Sequence, residues 1–415
     1  MFFSYPYLAA DSAYDHLNRL LAIFTSKMSK NSERRYAVQL LQSIMSEIDH
    51  AVKILTVEDS KYPVKRMVAS VNLSHKPLDY AQAMPSLFQE LRGDADKIDK
   101  ESVEITRQIL NIVEKGDAGL PYLYPQLYLK LGSSDLRRDA DLLSGISRIL
   151  LKWKTKHNLF VVNADWPNGS SNAAYGEFMG RVHGSSKEPD ETQGVGMCGL
   201  VSINLPRVAL RYIHENVPET DALEEYVSTA VRILDNHRQR LAKIYDRLYI
   251  EKMMPFPLNL KKSVFAIGVL GLKEYIEIHN LDPSDAEGRD LALETLDSVE
   301  AKLKRLTDEK GGKWMLAETF APSQMFADND RQRYGTKINE YTPGCSLVTN
   351  RLFLAQDIDV LIKAATFEKP LHDRMKGGGL AYQIHLGGEI TEEQLGYLVT
   401  ELLAQGIHGF KLIVE

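Results

Sequence analysis

The amino-acid sequence predicts an α/β protein, and three observations carry that expectation. Short apolar runs, such as Val201-Ser202-Ile203-Asn204-Leu205 and the run over 264–272, are separated by segments whose apolar residues recur every 3.6 positions. The alternation of strand-like and helix-like segments persists through the second half of the chain, an order that favours parallel pairing. Hydrophobic residues form 44% of the 415 positions, enough to bury a large core and too many for a disordered chain. A barrel fits this pattern as well as an open sheet.

Residues 1–115 read as helical. Ser32-Glu33 opens a run with Val38, Leu41, Ile44, Met45, Ile48, Val52 and Leu55 on one face, and Val103, Ile105, Ile109, Leu110 and Val113 mark a second helix ending at Gly116. From Gly119 the texture turns aromatic and proline-punctuated, Leu120-Pro121-Tyr122-Leu123-Tyr124-Pro125, which reads as extended chain. Ser134-Asp135 then starts a helix reaching Leu151, and residues 158–162 form a short apolar strand. The polar, glycine- and serine-rich stretch over 165–199 has no clear period and is too long for an ordinary connector, so it reads as a functional loop or a mobile one. The strand at 201–205 is expected to stop at Pro206. Beyond it come an amphipathic helix from Asp221, a buried run at 264–272 and a helix over 283–306. A short helix from Ala321-Pro322-Ser323, a strand over 381–386 and a last helix leading into residues 410–414 complete the chain.

Charge and residue counts exclude several function classes. Lys+Arg number 50 against 56 Asp+Glu, a net charge of −6, which argues against a general nucleic-acid or anionic-membrane surface. No apolar run approaches the ~18–20 residues of a membrane span. Met1-Phe2-Phe3-Ser4-Tyr5-Pro6 lacks a basic region and is broken by proline, so the expectation is a cytoplasmic protein without a signal peptide. Cysteine occurs only at Cys198 and Cys345, too few for a disulfide framework or a four-cysteine zinc site. None of the 11 histidines is three or four residues from another. Both counts argue against a metal site built by this chain.

Gly194-Val195-Gly196-Met197-Cys198-Gly199 spells G-x-G-x-x-G, but a polar loop precedes it and a strand follows, the reverse of what a dinucleotide fold needs. It reads as a glycine-rich lead into a strand. Ala321-Pro322-Ser323-Gln324 is a better phosphate candidate, because a helix start offers free amides and Ser323 a hydroxyl. Gly377-Gly378-Gly379 and Gly387-Gly388 bracket a strand bearing His385, which reads as a hydrogen-bonded core histidine. Cys198, between Met197 and Gly199-Leu200, reads as a small buried hydrophobe. Cys345, in Tyr341-Thr342-Pro343-Gly344-Cys345-Ser346, is expected in an accessible turn.

Several of these segments, in this order, resemble the catalytic core of class III (anaerobic) ribonucleotide reductases of the glycyl-radical enzyme superfamily. Ser202-Ile203-Asn204-Leu205-Pro206-Arg207-Val208-Ala209 is similar to that family's S/T-I-N-L-P-R-I-A strand. Residues 120–129 resemble its entry strand, Ala266-Ile267-Gly268 through Lys273-Glu274 its I-G-x-x-G segment, and Phe320-Ala321-Pro322-Ser323-Gln324 its T-P-[SA]-E helix start. Phe367-Glu368, Leu371-His372, Gly377-Gly378-Gly379 and His385-Leu386-Gly387-Gly388-Glu389 resemble its closing stretch. The resemblance implies a ten-stranded α/β barrel over 118–415 behind a helical region over 1–117. It also implies radical reduction of ribonucleoside triphosphates to deoxyribonucleotides, with Asn204 on the ribose and Ser323 and Gln324 near the phosphates.

The departures from the family pattern bear on the chemistry. The family stores its radical on a glycine in a loop that follows a four-cysteine zinc module, and neither lies within residues 1–415. Its thiyl cysteine belongs near Tyr175-Gly176-Glu177-Phe178-Met179-Gly180, where this chain has none, leaving only Cys198 and Cys345 as catalytic candidates. Removing the 3′-hydrogen of a ribose takes a thiyl radical, since carboxylates and imidazoles move protons and not hydrogen atoms. The expectation is a reductase-like core, incomplete on its own, holding no cofactor or metal, with any glycyl radical supplied by a partner subunit. A radical-SAM activase and a homodimer are the other partners the resemblance allows. Two alternatives stay open: a nucleotide-binding or regulatory relative without radical chemistry, and a piece of a longer protein.

Overall fold

A computed structural model describes residues 11–14, 17–25, 31–55, 68–74, 95–165, 173–175, 178–180, 197–250, 260–261, 263–318, 323–342, 344–348, 354–355, 357–380 and 382–415. The chain begins β1 (Asp11–Tyr14), α1 (Leu17–Thr25), α2 (Asn31–Leu55), β2 (Val68–Ser74), α3 (Ala95–Lys115). It continues β3 (Gln126–Leu131), α4 (Ser133–Arg138), α5 (Ala140–Trp153), β4 (Leu159–Asn163), with short strands β5 (Ala173–Tyr175) and β6 (Phe178–Gly180). Next come β7 (Met197–Asn204), α6 (Leu205–Glu215), α7 (Glu219–Ile250), β8 (Val264–Leu270), α8 (Leu272–Ile278), α9 (Ala286–Lys310) and β9 (Trp314–Glu318). The last elements are α10 (Ser323–Tyr334), β10 (Leu354–Ala355), α11 (Ile358–His372), β11 (Gly379–Leu380), β12 (Tyr382–Leu386), α12 (Glu392–Ala404) and β13 (Gly409–Val414). No helix among the described residues is long and apolar enough to cross a membrane.

The chain divides into two compact units. The first comprises 1–179, 354–362 and 381–415, and the second 180–353 and 363–380. The first unit holds a seven-stranded sheet in the order β1-β2-β3-β4-β13-β12-β10. All its pairs are parallel except β4 with β13, where Val161 faces Phe410 across an antiparallel seam. β4 is buried along its whole length, and its Phe160 stacks on Tyr128 of β3 with ring centroids 4.8 Å apart. Burial on both sides explains why its sequence, Leu-Phe-Val-Val-Asn, is a continuous apolar run with no alternation. The helical reading of 1–115 holds for α1, α2 and α3, but the segment also contributes β1 and β2 to this sheet. β2 mixes polar with apolar residues, Val-Ala-Ser-Val-Asn-Leu-Ser, and so lacks a continuous apolar run.

The second unit is built on the three-stranded parallel sheet β7-β8-β9. β8 is the middle strand and every residue of it is buried. Around it α6, α7 and α9 supply Leu205, Val208, Val227, Val231, Leu296 and Val299 to one apolar core. Burial of this kind is worth about 1.5–3 kcal/mol for each large side chain. Pro206 does not merely end a strand, as the sequence suggested. It occupies the first turn of α6, where its fixed φ favours helix and its missing N–H costs nothing. Gly271, at φ +74°, turns the chain from β8 into α8 against the Pro206 ring, which a Cβ would meet at 2.5 Å.

Candidate functional site

The parallel sheet of the second unit aligns the ends of its strands. Asn204, the last residue of β7, is in register with Leu270 of β8, and Glu318, the last of β9, with Val269. The carboxyl ends of parallel strands are where open α/β folds place their ligands, because loops rather than ladder bonds surround them. Two buried polar clusters lie there.

The first is centred on Asp330 of α10, which is fully buried. Its Oδ2 accepts from Asn204 Nδ2 at 2.7 Å and from the Tyr341 hydroxyl at 2.8 Å. Its Oδ1 accepts from Arg207 Nε at 2.5 Å, and the same guanidinium reaches Asn329 at 2.9 Å. Burial, reinforced by the hydrogen bond to Asp330, pushes the Tyr341 phenol far above its usual range and keeps it a donor. Asn204 stands at the N-cap of α6, yet its side chain makes no capping bond. Its amide is committed to Asp330, and its Oδ1 is buried without a hydrogen-bond partner. Beside this cluster Glu274 accepts from the Thr342 amide and hydroxyl at 2.9 and 2.7 Å, and burial raises its carboxyl.

The second cluster gathers Glu318, Cys345, Glu368 and His372, all fully buried or within 1% of it. Glu318 Oε1 accepts from the Cys345 amide and from its thiol, each at 2.9 Å. Glu318 Oε2 lies 3.4 Å from His372 Nδ1, while Glu368 Oε2 lies 3.8 Å from Nε2 on the other side of the ring. Glu368 Oε1 accepts from the Leu347 amide at 2.5 Å and also from the Val348 amide. Burial alone would raise Glu318 and lower His372. Their proximity reverses both shifts, so Glu318 is held down and His372 is held up.

The candidates read from the sequence are not all brought together. Asn204 is the last residue of β7, at the strand ends. Ser323 opens α10, although its side chain, like Ala321, Pro322 and Pro343, lies outside the described residues. Gln324 is exposed on α10. Seven helical positions separate Ser323 from Asp330, about 10 Å along the axis. Cys345 is in a turn, but it is buried and not accessible as the turn chemistry suggested, because its thiol and amide are drawn onto Glu318. Cys198 is half-buried on β7, where burial raises its thiol despite a hydrogen bond from Ser263. It precedes Asn204 by six strand positions, about 20 Å. Gly194, Val195 and Gly196 of the glycine motif, and Gly176 and Glu177 at the expected thiyl position, lie outside the described residues. Sequence reasoning missed Asp330, Glu318, Glu368 and His372 as site residues. A carboxylate ending an apolar strand, Trp-Met-Leu-Ala-Glu, and a Glu and His four apart on a helix were the available signals.

A sequence model of the family described as anaerobic ribonucleoside-triphosphate reductase matches residues 16–411. The chain belongs to that family. A search of curated proteins found no match. Among solved structures, this family member is similar to an anaerobic ribonucleotide reductase at 17% identity and TM-score 0.64, covering 97% of this chain and 62% of that one. It is also similar to the Thermotoga maritima anaerobic ribonucleotide reductase with glycerol in the active site, at 17% identity and TM-score 0.63, over 97% of this chain and 64% of that one. The T. maritima enzyme in complex with dATP and CTP aligns at 16% identity and TM-score 0.67, over 99% of this chain and 67% of that one. The reductase-family chain therefore spans about 62–64% of the length of the first two structures. At such identities the likeness is one of fold: a mixed α/β architecture with largely parallel sheets.

Proposed function

We propose that the chain is an anaerobic ribonucleoside-triphosphate reductase-like core. It holds a ribonucleoside triphosphate at the carboxyl ends of β7–β9, within the ten-stranded barrel that the family resemblance implies. The observation that carries the reading is Asn204 Oδ1, a buried acceptor left unpartnered at the strand ends although a cap position would normally use it. A ribose hydroxyl is the donor it lacks, and the first turn of α10, about 10 Å along the helix from Asp330, offers free amides of the kind that bind phosphates. Asn204 Oδ1 is closed off from solvent, so a nucleotide reaches it through a local rearrangement.

The described thiols do not fit the radical step at that position. Cys345 is tied to Glu318, and Cys198 stands about 20 Å from Asn204 along β7. Hydrogen abstraction thus needs a thiyl, as well as the glycyl radical that generates it, from a separate subunit, and this chain's residues bind and orient. The engagement of Cys345 equally favours a second reading, a nucleotide-binding relative without radical chemistry.

Calorimetry under anaerobic conditions tests the core of the proposal. A ribonucleoside triphosphate should bind the wild-type chain, and Ser323→Ala should weaken it by about 1.5–3 kcal/mol, one hydrogen bond to a charged group. Asn204→Ala should erode discrimination between ribose and deoxyribose more than overall affinity. Absence of binding at millimolar triphosphate would remove the reading. Binding with no turnover, even with a glycyl-radical subunit and activase added, selects the second reading.

A further inference from the structure

We propose that Glu318, Cys345 and His372 form a binding site for one divalent metal ion of the zinc class. One donor atom from each residue lies within 4.8 Å of the others, and all three residues are buried. They arrive from three separate places: the end of β9, the turn after Tyr341 and the last turn of α11. Carboxylate, thiolate and imidazole together are the donor set of a borderline-soft ion, and not of magnesium or calcium, which take oxygen alone.

The geometry is near what such an ion imposes. Bond lengths of about 2.0–2.3 Å place such tetrahedral donors roughly 3.3–3.6 Å apart, so donors within 4.8 Å of one another need to close by about 1–1.5 Å at most. Glu318 Oε2 and His372 Nδ1 are already 3.4 Å apart. Two protons leave on binding, the Cys345 thiol proton that points at Glu318 Oε1 and the imidazole proton on Nδ1 beside Glu318 Oε2, and the ion takes their place among sulfur, nitrogen and oxygen. Thiolate and carboxylate then balance the ion's two positive charges, and a water or the second Glu318 oxygen completes the fourth position.

Two further features suit this role. Glu368 sits on the far side of the imidazole, facing Nε2, with its other oxygen fixed by the Leu347 and Val348 amides. On closing from 3.8 Å to hydrogen-bond distance, that carboxylate keeps the non-ligating nitrogen protonated and leaves Nδ1 for a metal, the arrangement commonly found behind metal-binding histidines. Gly344 leaves the room for Glu318, because a Cβ there would stand 2.6 Å from Oε1. Counts of cysteine and His–His spacings miss the site because it uses each ligand type once.

The test uses the whole purified chain, stripped with a chelator and titrated anaerobically with Co²⁺, then Zn²⁺. The expected result is one Co²⁺ bound per chain with a near-ultraviolet thiolate-to-cobalt charge-transfer band, which Zn²⁺ abolishes. Cys198→Ser should keep the band and Cys345→Ser should lose it, while Glu368→Gln should keep it with 10–100-fold weaker affinity. No Co²⁺ uptake, uptake without the thiolate band, or loss of the band in Cys198→Ser would overturn the proposal. Should Cys345→Ser fail to fold, the Cys198→Ser spectrum decides alone, since Cys345 is then the only thiol in the chain.

Discussion

Asp330 takes hydrogen bonds from three different segments, Asn204 at the end of β7, Arg207 in α6 and Tyr341 after α10, while having no contact with solvent. A buried carboxylate is stable only when its charge is matched and its lone pairs are filled, and Arg207 with the two neutral donors does both. Asp330→Asn keeps the shape but removes the charge and turns an amide N–H toward donors. Stability should fall by roughly 3–5 kcal/mol, as for breaking a buried pair, and urea unfolding would measure it. An unchanged midpoint would show that the cluster contributes nothing to the fold. At this scale the sequence was partly legible. Asn204 was legible only through the family resemblance carried by Ser202-Ile203-Asn204-Leu205-Pro206-Arg207. Asp330 was not, since it lies among the polar residues of an ordinary-looking helix, Ser-Gln-Met-Phe-Ala-Asp-Asn-Asp, and its burial is decided by residues 123 positions away.

Among elements, the legible ones were those whose environment is uniform along their length. β8 is buried throughout and reads as an apolar run, and α7 and α9 each turn an apolar face to the core, through Val227, Val231 and Leu234 and through Leu296, Val299 and Leu303. Where local signals compete, reading failed. Proline reads as a stop at Pro206 but starts α6, and β9, only 5 residues long behind Gly311-Gly312, gives too short a signal. Turns can be tested by substitution. Gly344 and Gly311 both adopt positive φ, +70° and +65°, but a Cβ meets Glu318 at the first and nothing within 4 Å at the second. Gly311→Ala should therefore cost only the backbone strain, about 1 kcal/mol. Gly344→Ala should cost distinctly more, because it adds a clash with a buried carboxylate. Equal melting temperatures for the two variants would show that Glu318 can move aside freely.

For the molecule as a whole, pH dependence of stability is set in part by His157. The ring is buried, with Nε2 2.6 Å from the Leu412 carbonyl and Nδ1 3.2 Å from the Leu159 amide. Nε2–H therefore donates and Nδ1 accepts, which is the neutral tautomer with both nitrogens satisfied. Burial first, and the charge of Lys411 second, lower its pKa from 6.5 to about 4. The unfolded chain thus takes up a proton that the folded one refuses. This contribution is complete above pH 6.5 and is lost as pH falls toward 4, by about 3 kcal/mol in all. His157→Gln should lower stability at neutral pH and flatten the profile between those values. A variant profile parallel to that of the wild type would exclude His157 as the cause.

The same contact spans 255 residues of sequence, and the antiparallel seam it adjoins joins β4 to β13. On a ribosome adding about 5–20 residues per second, β4 waits roughly 13–50 s for its neighbour to be synthesised. Throughout that interval Leu159, Phe160, Val161 and Val162, buried in the finished sheet, present an apolar edge with unpaired backbone groups. Nascent chains stalled before β13 should therefore be captured by holdase chaperones and become protease-resistant only once residues 409–414 have left the exit tunnel, so the seam acts as a quality-control checkpoint on synthesis.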